Sequence, residues 1–156
     1  MGLPRTFVGF SSTDIHAYRL MQAWKENTRI DFSFTDCQLA SEVNSDNEDY
    51  IKRCVRQRIN MAGKYVLLIG EDTRYKHKYV LWETTVAIEK GCTMIGVNLD
   101  GSRSMVSSKT PGIIQNIGAV FVPLSPKIVA YAIEHWTMEK SDDWHYKPEV
   151  YQKLGY

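Results

Sequence analysis

Lys64-Tyr65-Val66-Leu67-Leu68-Ile69-Gly70 is the stretch whose reading decides the fold. Its apolar run is too short for a helix and shows no alternation of apolar with polar residues, so it is a strand covered on both faces. Such strands lie inside parallel sheets with helices above and below. A polar loop over residues 71–78 follows, then a helix-forming stretch to Lys90, closed by Gly91 just past its end. Residues 93–99 (TMIGVNL) then read as another buried strand. Strand, helix, strand is a βαβ unit with a right-handed crossover.

Toward the N-terminus the pattern repeats. Residues 6–11 (TFVGFS) read as a buried strand, and Ser12-Thr13-Asp14 as the cap of a helix reaching Glu26. That helix carries Ile15, Tyr18, Met21 and Trp24 on one face. Residues 30–35 (IDFSFT) alternate with the period of a second strand. After a polar segment over 36–47, Ser45-x-x-Glu48 forms a capping box. It opens a helix with Ile51, Val55 and Ile59 as its seam, running to about Met61 and ended by Gly63.

Toward the C-terminus, residues 100–116 are loop with a short helical turn after Pro111. Residues 119–124 form a fifth strand and 125–138 a final helix. The expectation is an α/β, flavodoxin-like three-layer fold: a five-stranded parallel sheet of order 2-1-3-4-5 with helices on both faces. Residues 1–138 form the domain. Residues 139–156, with Trp144, Tyr146, Tyr151 and Tyr156, are expected to pack back on it or on a partner.

Composition narrows the class of function. Nineteen Lys and Arg against eighteen Asp and Glu leave a charge of +1, without the basic footprint of a nucleic-acid or membrane-surface binder. No apolar run approaches the ~18–20 residues of a membrane span, and the opening residues, Met1 to Arg5, do not read as a signal peptide. Cys37, Cys54 and Cys92 are too few and too scattered for a disulfide framework. Cys54 and Cys92 read as reduced core thiols, so the expected compartment is the cytoplasm. His16, His77, His135 and His145 have no metal-ligand spacing, and no metal is expected.

In an open doubly wound sheet, ligands sit at the carboxyl ends of the strands beside the topological switch point. That rule nominates Phe10, Ser11, Ser12, Thr13 and Asp14 after the first strand and Asp36 after the second. Residues 70–78, Asn98 and Asp100 complete the rim. A phosphoacceptor domain needs an aspartate where this chain has Gly70. Ser11-Ser12-Thr13 bears a slight likeness to a flavin-phosphate loop, although such a cluster before a helix is more often just a cap. Neither G-x-G-x-x-G nor G-x-x-x-x-G-K-[ST] occurs.

Tyr79-Val80-Leu81-Trp82-Glu83, followed by the helix to Gly91 and the strand Met94-Ile95-Gly96-Val97, resembles the signature of TIR (Toll/interleukin-1 receptor) domains. NAD-cleaving members of that family have an aromatic four residues before the catalytic glutamate, usually Trp where this chain has Tyr79. Phe7-Val8-Gly9-Phe10-Ser11 with Asp14 resembles the family's opening strand and first loop. The closest likeness is to the TIR-like family that includes the signal-producing subunit of Thoeris antiphage systems.

The resemblance implies that Glu83 is catalytic and that Phe10, Ser11, Ser12, Asp36 and Tyr79 bind NAD, as a substrate rather than a cofactor. It also implies self-association and a downstream effector that reads an ADP-ribose-derived signal. The plain alternative is a solvated glutamate near a helix N-terminus, stabilising the dipole. In the catalytic reading too the helix N-terminus favours the ionised carboxylate, and Glu83→Gln at a cleft-facing position is expected to cost only ~0.3–1 kcal/mol of stability. Only one of Tyr79 and Trp82 can face the cleft with Glu83, and the i, i+4 spacing favours Tyr79. At the level of function the alternatives are a catalytically silent module that acts by homotypic assembly and a flavin-binding domain.

Overall fold

The computed structural model describes residues 5–27, 35–36, 48–75 and 78–156, with 35–36, 48–51 and 78–79 as backbone only. Strands β1 (Arg5–Gly9), β2 (Thr35–Asp36), β3 (Lys64–Ile69), β4 (Thr93–Asn98), β5 (Val120–Pro123) and β6 (Trp144–His145) form one sheet. Their order is β2-β1-β3-β4-β5-β6, and every neighbouring pair is parallel. The expected count of five strands is thus corrected to six, because the C-terminal extension adds one to the β5 edge.

The run Tyr65 to Ile69 is sealed on both faces. Val66 and Leu68 point to one layer, where α1 (Ile15–Glu26) and α4 (Pro126–His135) bring Ala17, Met21, Ile128 and Ala132. Tyr65, Leu67 and Ile69 point to the other, where α2 (Glu48–Met61) and α3 (Lys78–Glu89) bring Val55, Ile59, Val86 and Ala87. Each leucine or isoleucine buried this completely contributes about 1.5–3 kcal/mol. The end of α3 sets the register of β4. Gly91, at φ +76°, donates to the Ile88 carbonyl (3.1 Å) and Cys92 to that of Ala87 (3.0 Å), a Schellman closure.

Several boundaries move for identifiable reasons. The first strand stops at Gly9, not Ser11, because the chain turns at once into a 3₁₀ turn (Ser12–Asp14). The Asp14 side chain makes no capping bond to α1, since its carboxylate is engaged with the loop after β3. Of the second expected strand, residues 30–34 lie outside the described residues, as do Cys37 and the Ser45 of the capping box. What is described is β2, with Asp36 opposite Thr6. Cys54 is only half-buried, whereas Cys92 is buried. The final helix ends at His135 because Trp136 turns extended and donates its indole N–H to the Gly118 carbonyl (3.2 Å).

The extension is stitched to the sheet. Trp144 N–H donates to the Ala119 carbonyl and Gly118 N–H to that of Asp142, each at 3.0 Å. Then α5 (Pro148–Lys153) buries Tyr151 in the layer of α1 and α4. A β5 edge left open would be a template for unwanted pairing. Among the described residues no helix is long and apolar enough to cross a membrane.

Candidate functional site

With β1 flanked by β2 and β3, the chain's crossovers reverse direction at the β1–β3 seam, and a ligand crevice is expected above its carboxyl end. Helix α3 packs over β1 and β3 at this seam. Beneath it the Tyr65 ring is stacked on Phe7, with centroids 5.8 Å apart, and runs along the sheet so that its hydroxyl lies against Gly9. A Cβ at position 9 would lie 2.0 Å from that oxygen, so only glycine leaves room for it. The Thr84 hydroxyl donates to the Val80 carbonyl (2.7 Å), which leaves its oxygen to accept from Tyr65 (2.9 Å).

Glu83 adjoins this arrangement in the second turn of α3. The residue as a whole is half-buried, but its Oε2 is sealed from solvent and has no hydrogen-bond partner among the described residues. Burial pushes its carboxyl up to about 8. This corrects the expectation of a carboxylate kept ionised by the helix N-terminus, and it does not fit the alternative of a solvated glutamate. The desolvation of a sealed oxygen outweighs a dipole worth about 0.3–1 kcal/mol. The same burial, with the charge of Glu83 second, raises the Tyr65 phenol well above its usual range.

The first loop meets the loop after β3 in a separate arrangement. Ser11 donates to Thr13 Oγ1 (3.1 Å), and Thr13 donates to both Asp72 oxygens (2.8 Å each). The buried Thr73 hydroxyl accepts from Gly70 N–H (2.8 Å) and donates to Asp14 Oδ2 (3.3 Å). Asp14 lies directly over Gly70, where a Cβ would come within 2.4 Å of its carboxylate. Burial first, and the charge of Asp72 second, raise the Asp14 carboxyl, while the Thr73 bond pulls it down. Beside this latch is a cavity of about 230 Å³ whose lining includes Asp14, His16, Gly70, Glu71, Asp100 and Lys109. Lys109 bridges Glu71 (2.8 Å) and Asp100 (3.1 Å) across it.

The contacts of the sequence-nominated residues therefore fall into separate groups. Glu83 lies with Tyr65 and Thr84 on the α2–α3 side. Phe10 turns to the α1 side and stacks on Tyr18, with centroids 4.7 Å apart. Ser11 is buried in the loop latch and Ser12 is exposed. The side chains of Asp36 and Tyr79 lie outside the described residues. Trp82 is half-buried between α2 and α3, with Lys52 Nζ and the Arg56 guanidinium each 5.6 Å from its ring. The sequence does not single out Tyr65 within its apolar strand, and it places Thr73 in the rim over 70–78 without distinguishing it from its neighbours. The signals available were a lone polar hydroxyl in an apolar run and a threonine placed just after Gly70.

A parallel sheet wound in this order, with the TIR-type helix over its switch point, places the chain among TIR-like α/β domains. The family is narrower still. The chain belongs to the TIR-like domains of the Thoeris protein ThsB, whose family model matches residues 7–104. No curated protein matches the chain in sequence. Among solved structures it is similar to a Clostridium botulinum CMP N-glycosidase, BcmB, at 11% identity and a TM-score of 0.44. That match covers 63% of this chain and 74% of the other.

Proposed function

We propose that this chain consumes NAD, cleaving the bond between nicotinamide and ribose to make a cyclic ADP-ribose-derived signal in antiphage immunity. The observation that carries this reading is the Glu83 carboxyl: buried beside the switch-point seam, with an oxygen that no described group satisfies. A native fold rarely keeps such a group without a use for it.

The chemistry suits a single carboxylate. Nicotinamide leaves with the bonding electron pair, and its positive charge passes to the ribose as an oxocarbenium ion. No general acid is needed, because the leaving nitrogen is already cationic. The carboxylate of Glu83 stabilises the charge developing at the anomeric carbon. A hydroxyl of the same ADP-ribose, or water, then adds there and releases one proton. Ser12 would supply its exposed hydroxyl, together with backbone N–H groups near the start of α1, to the pyrophosphate; Ser11 would brace that loop, and Phe10, Asp36 and Tyr79 would complete the NAD contacts. Self-association excludes water from the reacting ribose, and the product acts on a downstream effector.

Purified protein incubated with NAD, alone and with lysate of infected cells, should release nicotinamide together with an ADP-ribose product, both measured by mass spectrometry. Only the ionised carboxyl serves, so kcat/KM should rise with pH through about 8. Binding the cationic nicotinamide ring favours that ionised form, so the kcat profile should rise at lower pH than the kcat/KM profile. Assembly without NAD turnover under all these conditions would leave the interaction-module reading in its place.

A further inference from the structure

A second cavity, of about 240 Å³, opens between the loop after β4 and the C-terminal extension, lined by Arg103, Ser104, His145, Tyr146, Pro148 and Tyr151. It shares no lining residue with the switch-point cavity and differs from it in charge. Asp14, Glu71 and Asp100 line the first, whereas the second has an arginine, a histidine and no carboxylate.

Arg103 is held in place without being neutralised. Its guanidinium lies 4.0 Å from the Tyr151 ring centroid and 6.0 Å from that of Tyr156. Ring-face contact fixes the plane of the group and leaves its N–H donors unused. No carboxylate pairs with it among the described residues. The backbone on either side is gripped as well: buried Asn98 donates through its side-chain amide to the carbonyls of Ser102 and Ser104, each at 2.9 Å. Ser102 N–H in turn donates to Asp100 Oδ1 (2.9 Å). Two carbonyls bracketing one arginine, both anchored to the end of β4, make a pre-organised donor. The floor is aromatic, and the hydroxyls of Tyr146 and Tyr151 have no partner among the described residues.

We propose that this cavity binds a small organic anion built on a planar ring, with its carboxylate or phosphate on Arg103 and its ring against Tyr146 and Pro148. A guanidinium offers two parallel N–H donors to either anion, and the aromatic wall takes a flat apolar face. The volume is below the ~300–1,000 Å³ of pockets that enclose drug-sized ligands, which suits a mononucleotide or an aromatic acid rather than a dinucleotide.

The test is a calorimetric titration of the full chain with AMP, benzoate, adenosine and inorganic phosphate. AMP or benzoate should bind, with adenosine and phosphate alone each at least about tenfold weaker, since each offers half of the recognition. Binding by AMP and not benzoate assigns a phosphate ligand; the reverse assigns a carboxylate. Arg103→Gln should weaken binding at least about tenfold, and Arg103→Lys, which keeps the charge but not the fork, by less. Arg103 is exposed, so both variants should keep the wild-type circular dichroism spectrum. The proposal is overturned if neither ring anion binds at up to roughly 10 mM, or if affinity survives Arg103→Gln.

Discussion

Asp14 and Glu83 are two buried carboxyl groups near the carboxyl end of the same sheet, and burial raises both. They differ in what surrounds them. Asp14 receives a hydroxyl from Thr73 and lies over a glycine that makes room for it, so that it ties the loops after β1 and β3 together. Glu83 has next to it a phenol and a threonine already committed to each other, and its Oε2 is left over. The first arrangement uses an acid to hold loops in place. The second keeps an acid unsatisfied, which is destabilising in isolation and becomes useful when positive charge develops nearby.

The largest effect expected from this contrast is on turnover. Glu83→Gln keeps volume and hydrogen-bonding reach while removing the charge. It should lower NAD cleavage by two to three decades, about 3–4 kcal/mol in the transition state, with KM little changed. The check is nicotinamide release under conditions where the wild type turns over. A variant that cleaves NAD at the wild-type rate removes Glu83 from the mechanism and with it the distinction drawn from Asp14.

Next comes the latch. Thr73→Val keeps the shape of a fully buried side chain but deprives Gly70 N–H of its acceptor and Asp14 of its donor. Two buried polar groups left without partners should cost about 2–4 kcal/mol in chemical denaturation, with an unchanged m-value. A cost below about 0.5 kcal/mol would mean that the loops are held by something other than Asp14.

The parallel α/β sheet was legible because Tyr65 to Ile69 is apolar on both sides of the pleat, a pattern that admits little else. The sixth strand was not legible. Trp144-His145 is two residues long and polar on one side, and the bonds that hold the extension at the β5 edge, from Trp136 to Gly118 and from Gly118 to Asp142, join residues far apart in sequence. Glu83 was singled out from its resemblance to a family signature, yet its environment was misread. Spacing places a residue near a helix N-terminus without revealing that Oε2 is closed off from solvent. The Asp14 latch was out of reach for another reason. Its partners Thr73 and Gly70 lie more than fifty positions away, and only the fold brings them together.

The misreading reverses a stability expectation. Burial lifts Glu83 from 4.5 to about 8, so the folded state holds a proton that the unfolded chain releases between those values. The stability that Glu83 contributes in its neutral form is complete below about pH 4.5 and is lost as the pH rises through about 8. Glu83→Gln does not titrate. It should therefore stabilise the fold at pH 8 by about 1–3 kcal/mol, allowing for water penetration at a half-buried side chain, and by nothing near pH 4. Denaturation midpoints across that range measure the difference. A variant less stable than wild type at pH 8 would show that the carboxylate is already satisfied in the resting protein.

The smallest effect belongs to Asp14→Asn, and it tests whether the two acids differ in partnership rather than in burial alone. Asparagine keeps an oxygen to accept from Thr73 and removes a charge that burial and Asp72 both disfavour. Its neutral amide is also free of the repulsion from Asp72. Against this, the Thr73 bond is stronger to a carboxylate than to an amide, and that is the same contact that holds the Asp14 carboxyl down. The opposing contributions should nearly cancel, leaving a change of less than about 1 kcal/mol at pH 7. Because the folded-state shift is upward, any gain should be largest above the ordinary carboxylate range and vanish below it. A stabilisation at pH 8 as large as that of Glu83→Gln would mean that Thr73 does little for the carboxylate. Asp14 would then be a second unsatisfied acid at the same crevice, and the contrast with Glu83 would be gone.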